Sequence, residues 1–355
     1  MFSLGLGRKK ASLLGIDIGS TAVKLIELSR AGTSSAHVYR VEACAHEPLP
    51  PAAIVEKRIA DIPAIGAAIR RALAQSGTKI TAAAVAVPAS ATITKVIPMA
   101  ADLSDADRLG LIQLDADHHI PYPLDEVNLD FTVLGPSQTQ GEVDVLLVAT
   151  RHEIVDNLLS ALAIAGLKAS IVDVEPYALE NGCRLALDSQ VEEQRFALAD
   201  IGAMATRLTV VGNGRSLYNR EIGFAARQLI DQIRHRYDLG PEEAERRLFH
   251  HQLPPGFAGE LGGPFAEALA QQIGRSLQFL SSSTTAKPAD QILLSGGCAL
   301  LPELDQVIAQ RLGIRTDVAN PFLRMSFASW VDRKLIQEHH AGFTLAAGLA
   351  VRGFD

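Results

Sequence analysis

One tripeptide, used twice, constrains this chain more than any other feature. Leu13-Leu14-Gly15-Ile16-Asp17-Ile18-Gly19 is a β-rich run that stops in Asp-Ile-Gly, and Phe196-Ala197-Leu198-Ala199-Asp200-Ile201-Gly202 does the same. Each is followed by a tight turn and a further strand, over Val23 to Leu28 and Leu208 to Val211. Superimposing the two also places Lys24 on Arg207 and Leu25 on Leu208. The flanking pattern repeats as well. Strands are predicted at Val38 to Ala43, a helix over Pro63 to Gln75 ending at Gly77, and a buried strand over Ile80 to Val87. In the second half Ser216 to Glu221, Phe224 to Tyr237 and Gln291 to Ser295 take the same order, with Gly212-Asn213-Gly214 as a hairpin turn. This is duplication at domain scale, not an array of short repeats.

Two stretches interrupt the repeat. Thr92 to Leu167 reads as a small α/β subdomain. It has a helix opened by Ser104-x-x-Asp107, strands near Leu129–Leu134 and Val143–Ala149, and a helix opened by a Thr150-x-x-Glu153 capping box. Leu239 to about Leu261 is a smaller insert, where Pro241 and the acids after it suit a helix start. A long helix follows from Gly262-Gly263-Pro264 to about Ser282.

Composition narrows the function. The 355 residues are 48% hydrophobic and 21% charged, enough for packed cores in two or three domains. A net charge of −7 and 5% aromatic residues argue against a general nucleic-acid binder. Cys44, Cys183 and Cys298 lie far apart, so neither a disulfide framework nor a zinc module is expected, and a reducing compartment fits. No apolar run reaches the ~18 residues of a membrane span, and Met1 to Lys10 does not read as a signal peptide. The expectation is a cytoplasmic protein.

The Asp-Ile-Gly turns carry the chemistry. Converging backbone N–H groups in such a turn hold phosphate oxygens, and glycine allows close approach. Ser20 and Thr21 add hydroxyls, Lys24 adds a cation, and Asp17 suits a hydrated Mg²⁺. Two such loops facing across a cleft would clamp a triphosphate from both sides. Leu293-Leu294-Ser295-Gly296-Gly297-Cys298 supplies a third element, a strand and a glycine pair against which a flat base can lie.

These elements resemble the actin-like ATPase superfamily. The resemblance sharpens to its PilM family of type IV pilus assembly proteins through segments spread over nearly the whole chain. They are Gly15-Ile16-Asp17-Ile18-Gly19-Ser20-Thr21-Ala22-Val23-Lys24-Leu25, Ile120-Pro121-Tyr122-Pro123, Val172-Asp173-Val174-Glu175-Pro176-Tyr177, Val318-Ala319-Asn320-Pro321-Phe322 and the terminal Arg352-Gly353-Phe354-Asp355. The resemblance implies an α/β, actin-like fold of two ribonuclease-H-like halves around a nucleotide cleft, with an inserted subdomain placed as in the cell-division protein FtsA. Domain 1 would take residues 1–91, the insert 92–170, a return to domain 1 171–195, domain 2 196–340 and a C-terminal helix 341–355.

The resemblance further implies ATP and Mg²⁺ as ligands. Asp17, Gly19, Ser20, Thr21 and Lys24 would form the first phosphate loop, and Asp200, Gly202 and Thr206 the second. Gly296 and Gly297 would lie by the adenosine, Asp17 would hold magnesium through water, and Asp200 with Glu175 would stand where hydrolysis occurs, as at most a slow ATPase. The implied partner is the N-terminal cytoplasmic tail of the inner-membrane protein PilN, docked at a groove involving the insert. Other alignment-complex and motor components would follow, with contact to the inner membrane only through the partner and homo-oligomers left open. Two departures stand out: the family has a glycine pair where Ala225-Ala226 stand, and lysines at Leu248 and Phe249. These predict a crowded phosphate end and the loss of a cation. Two rivals from the same superfamily are an FtsA-like filament protein and a sugar kinase. The first is disfavoured by the lack of an amphipathic membrane helix after Phe354-Asp355, the second by the lack of a sugar-site signature. Asp115, Asp117, His118 and His119 read as a solvated helix end rather than metal ligands.

Overall fold

The computed structural model describes residues 12–31, 38–187, 195–212, 215–249, 252–283 and 289–355. The chain opens with β1 (Leu14–Ile18), β2 (Ala22–Arg30) and β3 (Tyr39–Pro48), then a small hairpin of β4 (Ile54–Val55) and β5 (Arg58–Ile59). Helix α1 (Ile62–Ser76) begins at Asp61, whose carboxylate accepts from the Ala64 N–H at 2.9 Å, and stops at Gly77 with φ +69°. Its apolar face, Ile65, Ile69 and Ala72, is fully buried. Strand β6 (Ala82–Val87) follows.

A three-stranded sheet then forms from β7 (Thr92–Ala100), β8 (Val127–Pro136) and β9 (Glu142–Arg151), ordered β7-β9-β8, with α2 (Asp105–Leu114) and α3 (Ala116–His119) between its first two strands. It has its own core of Ile112, Ile120, Val127, Val145 and Leu147. Helix α4 (His152–Ile164), β10 (Lys168–Val174) and α5 (Glu175–Ala186) lead back.

The second half contains β11 (Phe196–Ile201), β12 (Thr206–Gly212), β13 (Arg215–Ile222), α6 (Ala226–Tyr237), α7 (Pro241–Phe249), α8 (Gly263–Ser283), β14 (Gln291–Ser295), α9 (Leu304–Leu312) and β15 (Arg315–Val318). The last elements are β16 (Met325–Phe327), α10 (Arg333–His339) and α11 (Thr344–Val351).

The duplication is visible in the sheets. The first is ordered β10-β6-β1-β2-β3-β16 and the second β13-β12-β11-β14-β15. Setting β16 aside, the two have one topology. A central strand is flanked on one side by two antiparallel strands and on the other by two parallel ones. The central strands β1 and β11 are buried along nearly their whole length and apolar but for the aspartate near the end of each, as strands covered on both faces are. The predicted turn at Gly212-Asn213-Gly214 lies partly outside the described residues, but β12 and β13 pair antiparallel around it.

Several boundaries differ from the expectations. Strand β7 is one that sequence pattern passes over, since Pro98 interrupts it; it lies at a sheet edge, where proline is tolerated. The Thr150-x-x-Glu153 capping box does not form. Thr150 stays in β9, paired with Thr92, and its hydroxyl donates to the Ala91 carbonyl at 2.9 Å, so cross-strand pairing overrides the local cap signal. The insert's sheet ends at Arg151, and the α4 that follows packs on α1 so closely that a Cβ on Gly66 would stand 2.6 Å from Ile164. The return strand β10 begins at Lys168.

After β15 the chain crosses back at Asn320-Pro321-Phe322, where the Asn320 side chain accepts from the Phe322 N–H at 3.0 Å. Strand β16 joins β3 in parallel, and Phe322, Met325 and Val331 enter the first half's core. Helix α11 is buried at every residue, held between β1 and α5. Here glycines are required by contact. A Cβ on Gly348 would meet the Ala178 carbonyl at 1.7 Å, one on Gly182 the Thr344 carbonyl at 2.0 Å, and one on Gly15 the Ala346 carbonyl at 2.0 Å. No described helix is long and apolar enough to cross a membrane.

Candidate functional site

The two Asp-Ile-Gly turns are built alike. The Gly19 N–H donates to the Ala22 carbonyl at 3.0 Å and the Gly202 N–H to the Ala205 carbonyl at 3.1 Å. Antiparallel register then sets Asp17 opposite Lys24 and Asp200 opposite Arg207. Both cross-strand pairs are ion pairs, Lys24 Nζ to Asp17 at 2.8 Å and Arg207 to Asp200 at 2.6 Å. The duplicated charge pattern is therefore a duplicated salt bridge.

The pairs meet at the centre of the molecule. Arg207 also donates to Glu175, the first residue of α5, so one guanidinium joins Asp200 of the second half to Glu175 of the first. Ser295, at the end of β14, donates to Asp200 at 2.8 Å. Burial pushes the Asp200 carboxyl above its ordinary range; the Ser295 bond opposes this, and the Asp17 charge adds to it. Burial likewise lowers Arg207. A second tie joins the halves where Lys57, from the β4–β5 hairpin, pairs with Glu221 of β13, and burial lowers that lysine too.

The glycine pair stands beside this cluster. Gly296 has φ +90°, and a Cβ there would stand 2.4 Å from the Ile201 carbonyl, so only glycine fits. A Cβ on Gly342 would lie 3.7 Å from Lys24 and 4.0 Å from the Gly297 Cα, which brings the pair near the first loop. Asp17, Lys24, Glu175, Asp200, Gly296 and Gly297 thus surround one region.

Not every predicted residue is free to serve. Thr206 is fully buried and its hydroxyl donates to the Phe224 carbonyl at 2.6 Å, so it fixes the approach to α6 and does not face a ligand. Ala225 and Ala226 are buried, Ala226 within the second half's core. The first N–H groups of α6 are instead spent on the second loop itself, Ala226 to the Gly202 carbonyl at 3.1 Å and Arg227 to that of Ala203 at 2.9 Å. Leu248 is buried in the second half's core. Phe249 is the residue sequence reasoning underrated. Its ring carbons lie 3.2–4.0 Å from where a Gly297 Cβ would stand. Asp115 pairs with His118 at 2.5 Å and His119 at 3.1 Å, and no metal-binding group of three side chains occurs among the described residues.

A cavity of about 290 Å³ adjoins the cluster on its other side. Ala89, Ser90 and Thr94 at the root of the insert, Pro176 and Tyr177 of α5, and Asn219 and Glu221 of β13 line it.

Asp17 and the two loops suit magnesium and phosphate in their chemistry. The seat beside Gly297 does not suit a base as it stands, because Phe249 already occupies it.

Comparison with known proteins gives the family and the fold. Across its length the chain is similar to a solved chain described as the PilM–PilN type IV pilus biogenesis complex, at 28% identity and TM-score 0.80, covering 98% of this chain and 100% of that one. More distant structures share the fold. The ethanolamine utilization protein EutJ from Carboxydothermus hydrogenoformans matches at 14% identity and TM-score 0.58, covering 98% of this chain and 91% of that one. A diol dehydratase-reactivating factor in nucleotide-free form matches at 9% and 0.57, covering 97% and 100%. The family model for type IV pilus assembly protein PilM matches residues 15–354. With that match over nearly its whole length, the chain belongs to the PilM family of type IV pilus assembly proteins, which have an actin-like fold.

Proposed function

We propose that this chain is a cytoplasmic scaffold of a type IV pilus assembly machine that holds the N-terminal tail of PilN and so sits at the inner membrane through its partner. The full-length likeness to the chain of the PilM–PilN complex carries this reading. The cavity at the root of the insert supports it with a place for the tail, since three parts of the fold contribute walls there. Other alignment-complex and motor components, and further copies of the chain, would assemble on this unit.

ATP with Mg²⁺ is the ligand proposed for the cleft. Gly19, Ser20, Thr21, Lys24 and Gly202 would face its phosphates, Asp17 would hold magnesium through water, and Gly296 and Gly297 would face the base once Phe249 has left Gly297. A ligand held between the halves favours one closure state and so changes affinity at a groove elsewhere. Turnover would be slow. Asp200 and Glu175 share the Arg207 guanidinium, so neither carboxylate is free to orient an attacking water.

The test is fluorescence anisotropy with a labelled synthetic peptide of the cognate PilN tail and the full chain. Tyr177→Ala and Thr94→Arg, both at the cavity wall, should each weaken binding on the order of tenfold. No binding to the unmodified chain would sink the docking reading. Undiminished affinity in both variants would place the tail elsewhere.

A further inference from the structure

Helix α7 does more than close the small insert. Glu245 and Phe249 are one turn apart and share a face. Their neighbours lie in opposite halves of the molecule. Burial pushes the Glu245 carboxyl up, and the Thr21 hydroxyl of the first Asp-Ile-Gly turn, close beside it, draws it partly back down. Phe249 places its ring over Gly297, whose missing Cβ would otherwise stand 3.2 Å from Cε1. Cys298, next along the chain, also lies within the field of Glu245.

The spacing has a chemical meaning. One side chain of α7 presents an anionic oxygen to the turn predicted to bind phosphate. The other presents a flat aromatic ring to the glycine pair predicted to seat a base.

We propose that Glu245 and Phe249 form an internal stand-in for the nucleotide, the carboxylate in the place of a phosphate oxygen and the phenyl ring in the place of the base, so that a nucleotide enters only by displacing α7. The inference rests on the nucleotide reading of the cleft and fixes what that cleft accepts. A triphosphate must overcome the like charge of Glu245 as well as the ring. A nucleoside without phosphates meets the ring alone.

The experiment is calorimetric titration of the full chain and its variants with MgATP and, separately, with adenosine. Binding of the PilN peptide and the thermal midpoint report folding. Phe249→Ala should raise affinity for both ligands on the order of tenfold. Glu245→Gln, which keeps size and removes charge, should raise affinity for MgATP on the order of tenfold and leave adenosine unchanged. The double variant should show the largest gain.

Wild-type binding of MgATP as tight as that of every variant would overturn the stand-in and leave the nucleotide reading intact. Weaker binding in Phe249→Ala would overturn it too, making the ring a stacking partner. No binding of either ligand by the folded double variant would overturn the nucleotide reading and the stand-in together.

Discussion

Arg207 is the residue on which most of the charged interior depends. It answers Asp200 across the β11–β12 ladder and Glu175 across the cleft, and its side chain is only 17% exposed. Removing one member of a buried ionic group leaves the others uncompensated, which costs far more than the group contributes. Arg207→Ala should therefore destabilise the chain by about 3–5 kcal/mol, read as a lower urea midpoint. Adding Asp200→Asn to that variant should restore part of the loss, because one stranded charge is then gone. A fall within the range of an exposed ion pair, roughly 0–1 kcal/mol, would show that water already reaches the group. The sequence exposed this pairing in part, since the two Asp-Ile-Gly segments align Lys24 with Arg207. It gave no sign that each cation would answer its own carboxylate. Nor did it show that Thr206 turns inward or that Phe249 sits over Gly297, because all three depend on elements that meet only in three dimensions.

Among elements, the pairing of α5 with α11 is the tightest. Their backbones touch through Gly182 and Gly348, with a would-be Cβ 2.0 and 1.7 Å from opposing carbonyls. A methyl group cannot be absorbed there by a side-chain rotation, since the obstacle is backbone. Gly348→Ala should cost at least the upper part of the usual overpacking range of about 1–3 kcal/mol, measured by chemical denaturation. An unchanged midpoint would contradict the packing. At this scale the sequence was most legible where local signals agreed with tertiary pairing, as in α1 with its Asp61 cap and Gly77 stop. It was least legible where pairing won. Strand β9 ran on through Thr150 to Arg151 against a cap signal, and β7 formed around Pro98 because an edge strand needs only one ladder. Strand β16, three residues long, has no pattern of its own and exists because β3 has a free edge.

At the level of the molecule, the two halves are not independent beads. The chain passes from the first to the second after α5 and returns at Asn320-Pro321-Phe322, and Arg207–Glu175 and Lys57–Glu221 tie them where they face each other. Leu13, Ala178, Leu198, Val211 and Leu345 share one apolar cluster that belongs to both halves. Denaturation should accordingly be a single transition. Trp330, the one tryptophan, donates from its indole to the Glu42 carbonyl of β3 at 2.8 Å and so reports on the first half. Its fluorescence midpoint should coincide with that of far-UV circular dichroism, which reports on both. Two separate midpoints would mean that the halves unfold one after the other.

The burial of α11 also bears on how the protein is made. β1 and β2 leave the ribosome early, yet the helix that covers them comes at the far end of the sequence, and Arg30 of β2 donates to the Phe354 carbonyl 324 residues away. At roughly 5–20 residues per second, that apolar sheet face waits on the order of tens of seconds for its cover. During synthesis the first half is thus an unfinished surface in need of shelter, and its completion is timed by the arrival of residues 344–351.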